Sequence, residues 1–164
     1  FKTEKVYATT GTFYPDADPE TSTVDGDMRN QPGAVAFSTI RGSSVSTSVI
    51  DDGTSLSWGV LQCGSSANTY SDMTRGVATF NTASLTASAI ISNAVFSGNA
   101  NYVLENLGTL IIHVAGVTSL ASETSLSTAD YNKVERTSFS SQTSPVAGLY
   151  VNFSFNAAIC FESK

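Results

Sequence analysis

Short runs in which apolar and polar residues alternate recur along this chain, separated by Gly, Pro, Asn, Asp and Ser clusters. Residues 55–62 (SLSWGVLQ) place Leu56, Trp58 and Val60 on one side of an extended segment. Residues 149–155 (LYVNFSF) alternate in the same way, and 157–161 (AAICF) reads as a last strand. A period of two is the mark of a half-buried strand. Residues 34–41 (AVAFSTIR), 45–50 (VSTSVI), 75–81 (RGVATFN), 89–98 (AIISNAVFSG) and 107–117 (LGTLIIHVAGV) also read as strands. Asp51-Asp52-Gly53 marks a turn, and 64–72 reads as a loop.

Residues 2–8 (KTEKVYA) alternate as an extended arm or edge strand, whereas 12–30, with Pro15, Pro19 and five acidic residues, read as a long loop. One short helical turn is predicted from Ser127, a capping residue, with Asp130 three positions on in the first turn. Eight or nine short strands with no long helix predict an all-β fold, an antiparallel, jelly-roll-like β-sandwich. Residues 1–12 would form an N-terminal arm and 13–164 one domain.

Composition narrows the function. Only 13% of residues are charged, against a typical ~25%. Ser, Thr, Ala, Asn and Gly dominate, and His113 is the one histidine. Acid–base enzymes cluster titratable groups in a cleft, and this chain has few to cluster. His113 lies in an apolar run without a neighbouring nucleophile and carboxylate, so it reads as structural. A net charge of −6 argues against nucleic acid and against an anionic membrane surface. No apolar run approaches the ~20 residues that span a bilayer.

Asp16, Asp18, Asp25 and Asp27 could supply oxygens to Ca²⁺ on a flexible loop, although their spacing is not that of an EF-hand and a solvated acidic loop is the simpler reading. No other cofactor is implied. Trp58 and Tyr70 are candidates for stacking on sugar rings, against a core role for Trp58. Cys63 and Cys160 do not have metal-site spacing. If paired, they close a loop worth up to ~4.7 kcal/mol in the chain-entropy model; if free, they pack as small hydrophobes. Asn152-Phe153-Ser154 matches a glycosylation sequon but falls in an alternating strand. The start at Phe1 reads as a processed N-terminus, and with the composition and the cysteines it favours an extracellular setting.

The stretch Thr74-Arg75-Gly76-Val77-Ala78-Thr79-Phe80-Asn81-Thr82-Ala83-Ser84-Leu85, followed by Ala89-Ile90-Ile91-Ser92-Asn93-Ala94-Val95-Phe96, resembles a known signature. It is similar to the R-G-F-x-x-F-D-T-S-x-[IL]-P … A-x-I-x-x-A-x-L pattern of DNRLRE-type β-sandwich modules, found in bacterial surface proteins and phage virion or tail proteins. Lys5-Val6-Tyr7-Ala8, Val24-Asp25-Gly26-Asp27 and the segment 122–131 resemble the same modules' first strand, D-G segment and L-S-x-x-D-Y turn. Asn81 stands where the family has Asp, and Ala87 where Pro is common.

The resemblance implies that Arg75 anchors strand to strand, that Phe80 enters the core, and that Thr82–Leu85 turns; the residues themselves suggest that Arg75, just after Asp72, pairs with that or another carboxylate. It implies no catalytic residues. The family's closing strand is absent before Lys164, so the expectation is either a groove for a donor strand or a domain cut from a longer protein. The arm carrying Lys2, Glu4, Val6 and Tyr7 is the expected donor, and head-to-tail donation builds a filament. The expected function is thus a non-enzymatic, extracellular structural subunit that assembles with copies of itself. The alternative is a carbohydrate-binding or adhesive module.

Overall fold

A computed structural model describes residues 10–17, 19–53, 57, 59–85, 89–103, 108–109, 111–143 and 145–156, with Val60 and Asn156 described by backbone alone. Among the described residues, eight strands run β1 (Asp25–Asn30), β2 (Ser48–Ile50), β3 (Gly59–Cys63), β4 (Tyr70–Ala78), β5 (Asn93–Asn99), β6 (Ile111–Val117), β7 (Val134–Thr143) and β8 (Tyr150–Asn156). A five-residue helix, α1 (Phe37–Arg41), precedes β2, and a 3-10 turn (Thr128–Lys133) precedes β7. The chain is all-β with little helix, as its alternation predicts, and every strand pair is antiparallel.

The strands form one four-stranded sheet, ordered β2-β1-β4-β3, and two two-stranded ribbons, β5-β8 and β6-β7. In the sheet, Met28 lies opposite Arg75 and Val49, and Gly26 opposite Val77. Val24, Met28 and Val77 bury against Leu126 and Tyr131, with Val49, Val117, Leu120 and Val134 packed around them. The core therefore sits between the sheet and the segment that holds the 3-10 turn. Full burial of side chains of this size contributes ~1.5–3 kcal/mol each.

Asp130 explains the turn. Its carboxylate accepts the Ser127 N–H (2.9 Å), the Ser127 hydroxyl (2.6 Å) and the Ala121 N–H (3.0 Å). The acid three residues after the cap thus reaches back to satisfy donors at the turn's start, the reciprocal half of a capping box. The helical turn expected at Ser127 is present.

Four expectations need correction. The strand expected over 34–41 is α1 plus a single bridge between Val35 and Tyr70. Phe37 and Ile40 are three apart, a helical spacing, and Ile40 is fully buried while Phe37 packs edge-on against Tyr70. The loop expected over 12–30 ends at β1, whose residues Asp-Gly-Asp-Met-Arg-Asn carry little strand propensity. Strand β1 exists because β2 and β4 bond both of its edges and its polar groups find partners: Asn30 Nδ2 donates to the Ile40 carbonyl, and Arg29 pairs with Asp72 at 3.4 Å. The loop expected over 64–72 ends at Tyr70, where β4 begins: Tyr70 and Asp72 pair with Cys63 and Gln62 of β3, so β4 starts five residues before the strand expected at 75–81. Strand β7 (VERTSFSSQT), for which no strand is expected, has no alternating apolar signal; β6 supplies the ladder that holds it.

Candidate functional site

Each of β5, β6, β7 and β8 bonds a neighbour along one edge among the described residues. Strands β7 and β8 lie side by side without a backbone ladder. Gln142 Nε2 donates to the Asn152 carbonyl at 2.8 Å, and the Phe139 and Phe155 rings meet edge-on at 6.5 Å. A side-chain amide thus occupies a carbonyl that a neighbouring strand would otherwise take. An open groove of about 300 Å³ runs along this seam, lined by Gln142, Val146, Leu149 and Tyr150 among others.

Large apolar residues are exposed around the ribbons: Val95, Ile111, Val146, Leu149 (58% exposed) and Tyr150 (72% exposed). The ribbons keep a smaller apolar interior. Phe80 packs on Phe96, and Phe96 on Phe153, with centroids 6.1 and 6.0 Å apart. Phe153 is fully buried, while Phe80 is half-buried. The turn expected at Thr82–Leu85 is present: the Leu85 N–H donates to the Thr82 carbonyl, and the Ala83 N–H to Asn81 Oδ1.

Asp16 organises the acidic loop. Its two carboxylate oxygens accept the backbone N–H groups of Thr21, Ser22 and Thr23 and their three hydroxyls. These bonds, with the Thr23 hydroxyl first, hold the Asp16 carboxyl well below the usual carboxylate range. Its lone pairs are directed at the loop's own donors. Asp25 and Asp27 lie on β1, Asp27 buried, and Asp18 lies outside the described residues. Among the described residues, no three His, Cys, Asp or Glu side chains group as a metal site would require.

Cys63, at the end of β3, is exposed and free, and Cys160 lies outside the described residues. Tyr70 is half-buried, its ring engaged with Phe37 at 5.5 Å. Trp58 and the arm residues Lys2, Glu4, Val6 and Tyr7 also lie outside the described residues. His113 is exposed on β6. Asn152 of the sequon is exposed on β8, with its Oδ1 accepting the Ser97 hydroxyl at 2.5 Å. Among the described residues no helix is long and apolar enough to cross a membrane.

Arg75 does not pair with Asp72. Asp72 takes Arg29 and the Gln31 side chain, at 3.4 and 3.0 Å. Arg75 instead lies 4.0 Å over the Tyr131 ring and donates to the main-chain carbonyls of Tyr131 and Arg41. It ties β4 to the 3-10 turn and to α1, a geometry that suits a planar guanidinium. Sequence reasoning singles out Arg75 as an anchor but not its partners, because carbonyl acceptors leave no trace in a sequence. Comparison with protein-family models, curated proteins and solved structures finds no match for this chain.

Proposed function

We propose that this chain is a non-enzymatic, extracellular structural subunit, a β-sandwich module of a filament, surface layer or virion that assembles with copies of itself. The observation that carries the reading is the pair of ribbons, whose strands bond on one edge among the described residues and are flanked by exposed apolar side chains. An open edge is a template for another strand, and apolar residues beside it add affinity. The alternating arm at residues 1–10 is the donor, and a neighbour's ribbon edge is the acceptor. A strand added in this way satisfies backbone groups and covers apolar surface in one step.

The glycan-binding alternative draws no support from Tyr70, whose ring is engaged with Phe37. The test is deletion of residues 1–10, read by negative-stain electron microscopy and light scattering, with circular dichroism as the control for folding. The full chain forms uniform fibres and the deleted chain stays a folded monomer. Fibres that survive the deletion defeat the donor-arm reading. A full chain that stays monomeric at all concentrations defeats the assembly reading.

A further inference from the structure

Fourteen acidic residues outnumber eight basic ones, yet three of the chain's cations stand together. Arg75 sends Nη2 to the carbonyl of Arg41, at the end of α1, over 2.6 Å. Arg41 sends its own Nη2 to the carbonyl of Arg136 on β7, over 3.1 Å. The Arg136 guanidinium lies over the same end of α1: a Cβ built on Gly42 would stand 3.8 Å from its Nη2. Each of these hydrogen bonds ends on a main-chain carbonyl. Arg29 is ion-paired with Asp72, and among the described residues no carboxylate pairs with Arg41, Arg75 or Arg136. Burial, reinforced by the charges of Arg136 and Arg41 and opposed by Tyr131, lowers the pKa of Arg75.

Carbonyl dipoles offset only part of this charge. Arg75 is half-buried and spends its donors on the fold, whereas Arg41 and Arg136 are exposed and keep N–H groups free. A guanidinium is a planar fork of five donors matched to the oxygens of a carboxylate, sulfate or phosphate. We propose that Arg41 and Arg136, backed by the charge of Arg75, form a binding site for an oxyanion. Two sources share that chemistry: a free inorganic anion, and a carboxylate of a second copy of this acidic chain. The site itself does not depend on the assembly reading; only its second source does.

The test compares thermal unfolding of the full chain in sodium sulfate and in sodium chloride at matched ionic strength. Sulfate stabilises many proteins by exclusion, so the informative quantity is a saturable difference between the wild type and an Arg41→Gln/Arg136→Gln double variant. Moving from chloride to sulfate should raise the wild-type Tm by about 2–4 °C more than it raises that of the double variant. In chloride the variant is no less stable than the wild type, because like charges have been removed. Coincident sulfate responses of the two proteins overturn the site. So does an equal loss of stability by the variant in both salts, which would make the arginines structural only. Light scattering separates the sources: sulfate that disperses assemblies at constant ionic strength assigns the site to a second copy, and sulfate that leaves them intact assigns it to a free anion. A chain that never assembles defeats the reading above, while the unfolding comparison still decides the site.

Discussion

Strand β4 and strand β8 both carry alternating side chains, yet β4 is bonded along both edges and β8 along one among the described residues. Around β4, Met28, Val24, Val77 and Tyr131 are closed off from water. Around β8, Val151 and Phe153 are buried while Tyr150 and Leu149 stand exposed. The two regions differ in what covers them more than in what they are made of. The sheet has the 3-10 turn and α1 laid over its interior, each locked by polar bonds from Asp130, Arg75 and Asn30. The ribbons have each other, joined by one amide and a ring contact. The main buried core therefore belongs to the sheet, while the ribbons leave Leu149 and Tyr150 uncovered.

The sharpest way to break this contrast is Tyr131→Ala. It removes a fully buried ring that also carries the Arg75 guanidinium, and it should cost about 3–5 kcal/mol in urea unfolding. A cost below that of an exposed-site substitution would move the stabilising core elsewhere. Asp130→Ala should follow at about 2–3 kcal/mol, since three donors lose their acceptor in a buried setting. Its urea midpoint should fall without a change in slope.

Glycine substitutions sharpen the comparison. A Cβ at Gly26, in the sheet, would stand 2.4 Å from the Ile50 carbonyl oxygen and 2.8 Å from Asp51 Cα, and backbone cannot step aside. At Gly116, in a ribbon, the near atom belongs to the Phe139 ring, 2.9 Å away, which can turn. Gly26→Ala should cost about 1–3 kcal/mol and Gly116→Ala less, measured side by side. The reverse order would show the ribbon to be the stiffer region.

Acid should act on the sheet and its loops. Asp16 and Asp130 both lie below the ordinary aspartate value of 3.8 in the folded chain. For Asp130 burial opposes the shift, and the bonds from Ser127 and Ala121 outweigh it. A depressed folded value means that the unfolded chain binds protons first as pH falls. Their contribution is complete above the unfolded value and is lost progressively below about pH 4. Asp16→Asn and Asp130→Asn should each flatten that acid slope in a stability-versus-pH series. The smallest effect on stability is expected at Tyr150→Ser, within about 0.5 kcal/mol. On the assembly reading, the same change should raise the protein concentration at which fibres appear. Unchanged assembly would place the contact away from β8.

Alternation alone places β3, β5, β6 and β8 within a few residues and the second half of β4, because a strand with one covered face writes its period of two into the sequence; the first residues of β4, Tyr70–Asp72, read as loop. Ser127 and Asp130 announce the 3-10 turn, because a cap bonds within four residues and its geometry is local. Strands β1 and β7 are not legible: Asp25–Asn30 and Val134–Thr143 are polar segments that owe their form to ladders with strands distant in the chain. The helix at Phe37–Arg41 reads as a strand because five residues fit either period until Ile40 and Phe37 find their pockets. The acidic loop is legible as a loop, but not as a nest closed on the Asp16 carboxylate. The gathering of Arg41, Arg75 and Arg136 is invisible, since 34 and 61 positions separate them and only the meeting of α1, β4 and β7 brings them together. Local periodicity and caps are set by neighbours along the chain. Partners, burial and clustered charge are set by neighbours in space, and only the tertiary structure decides those.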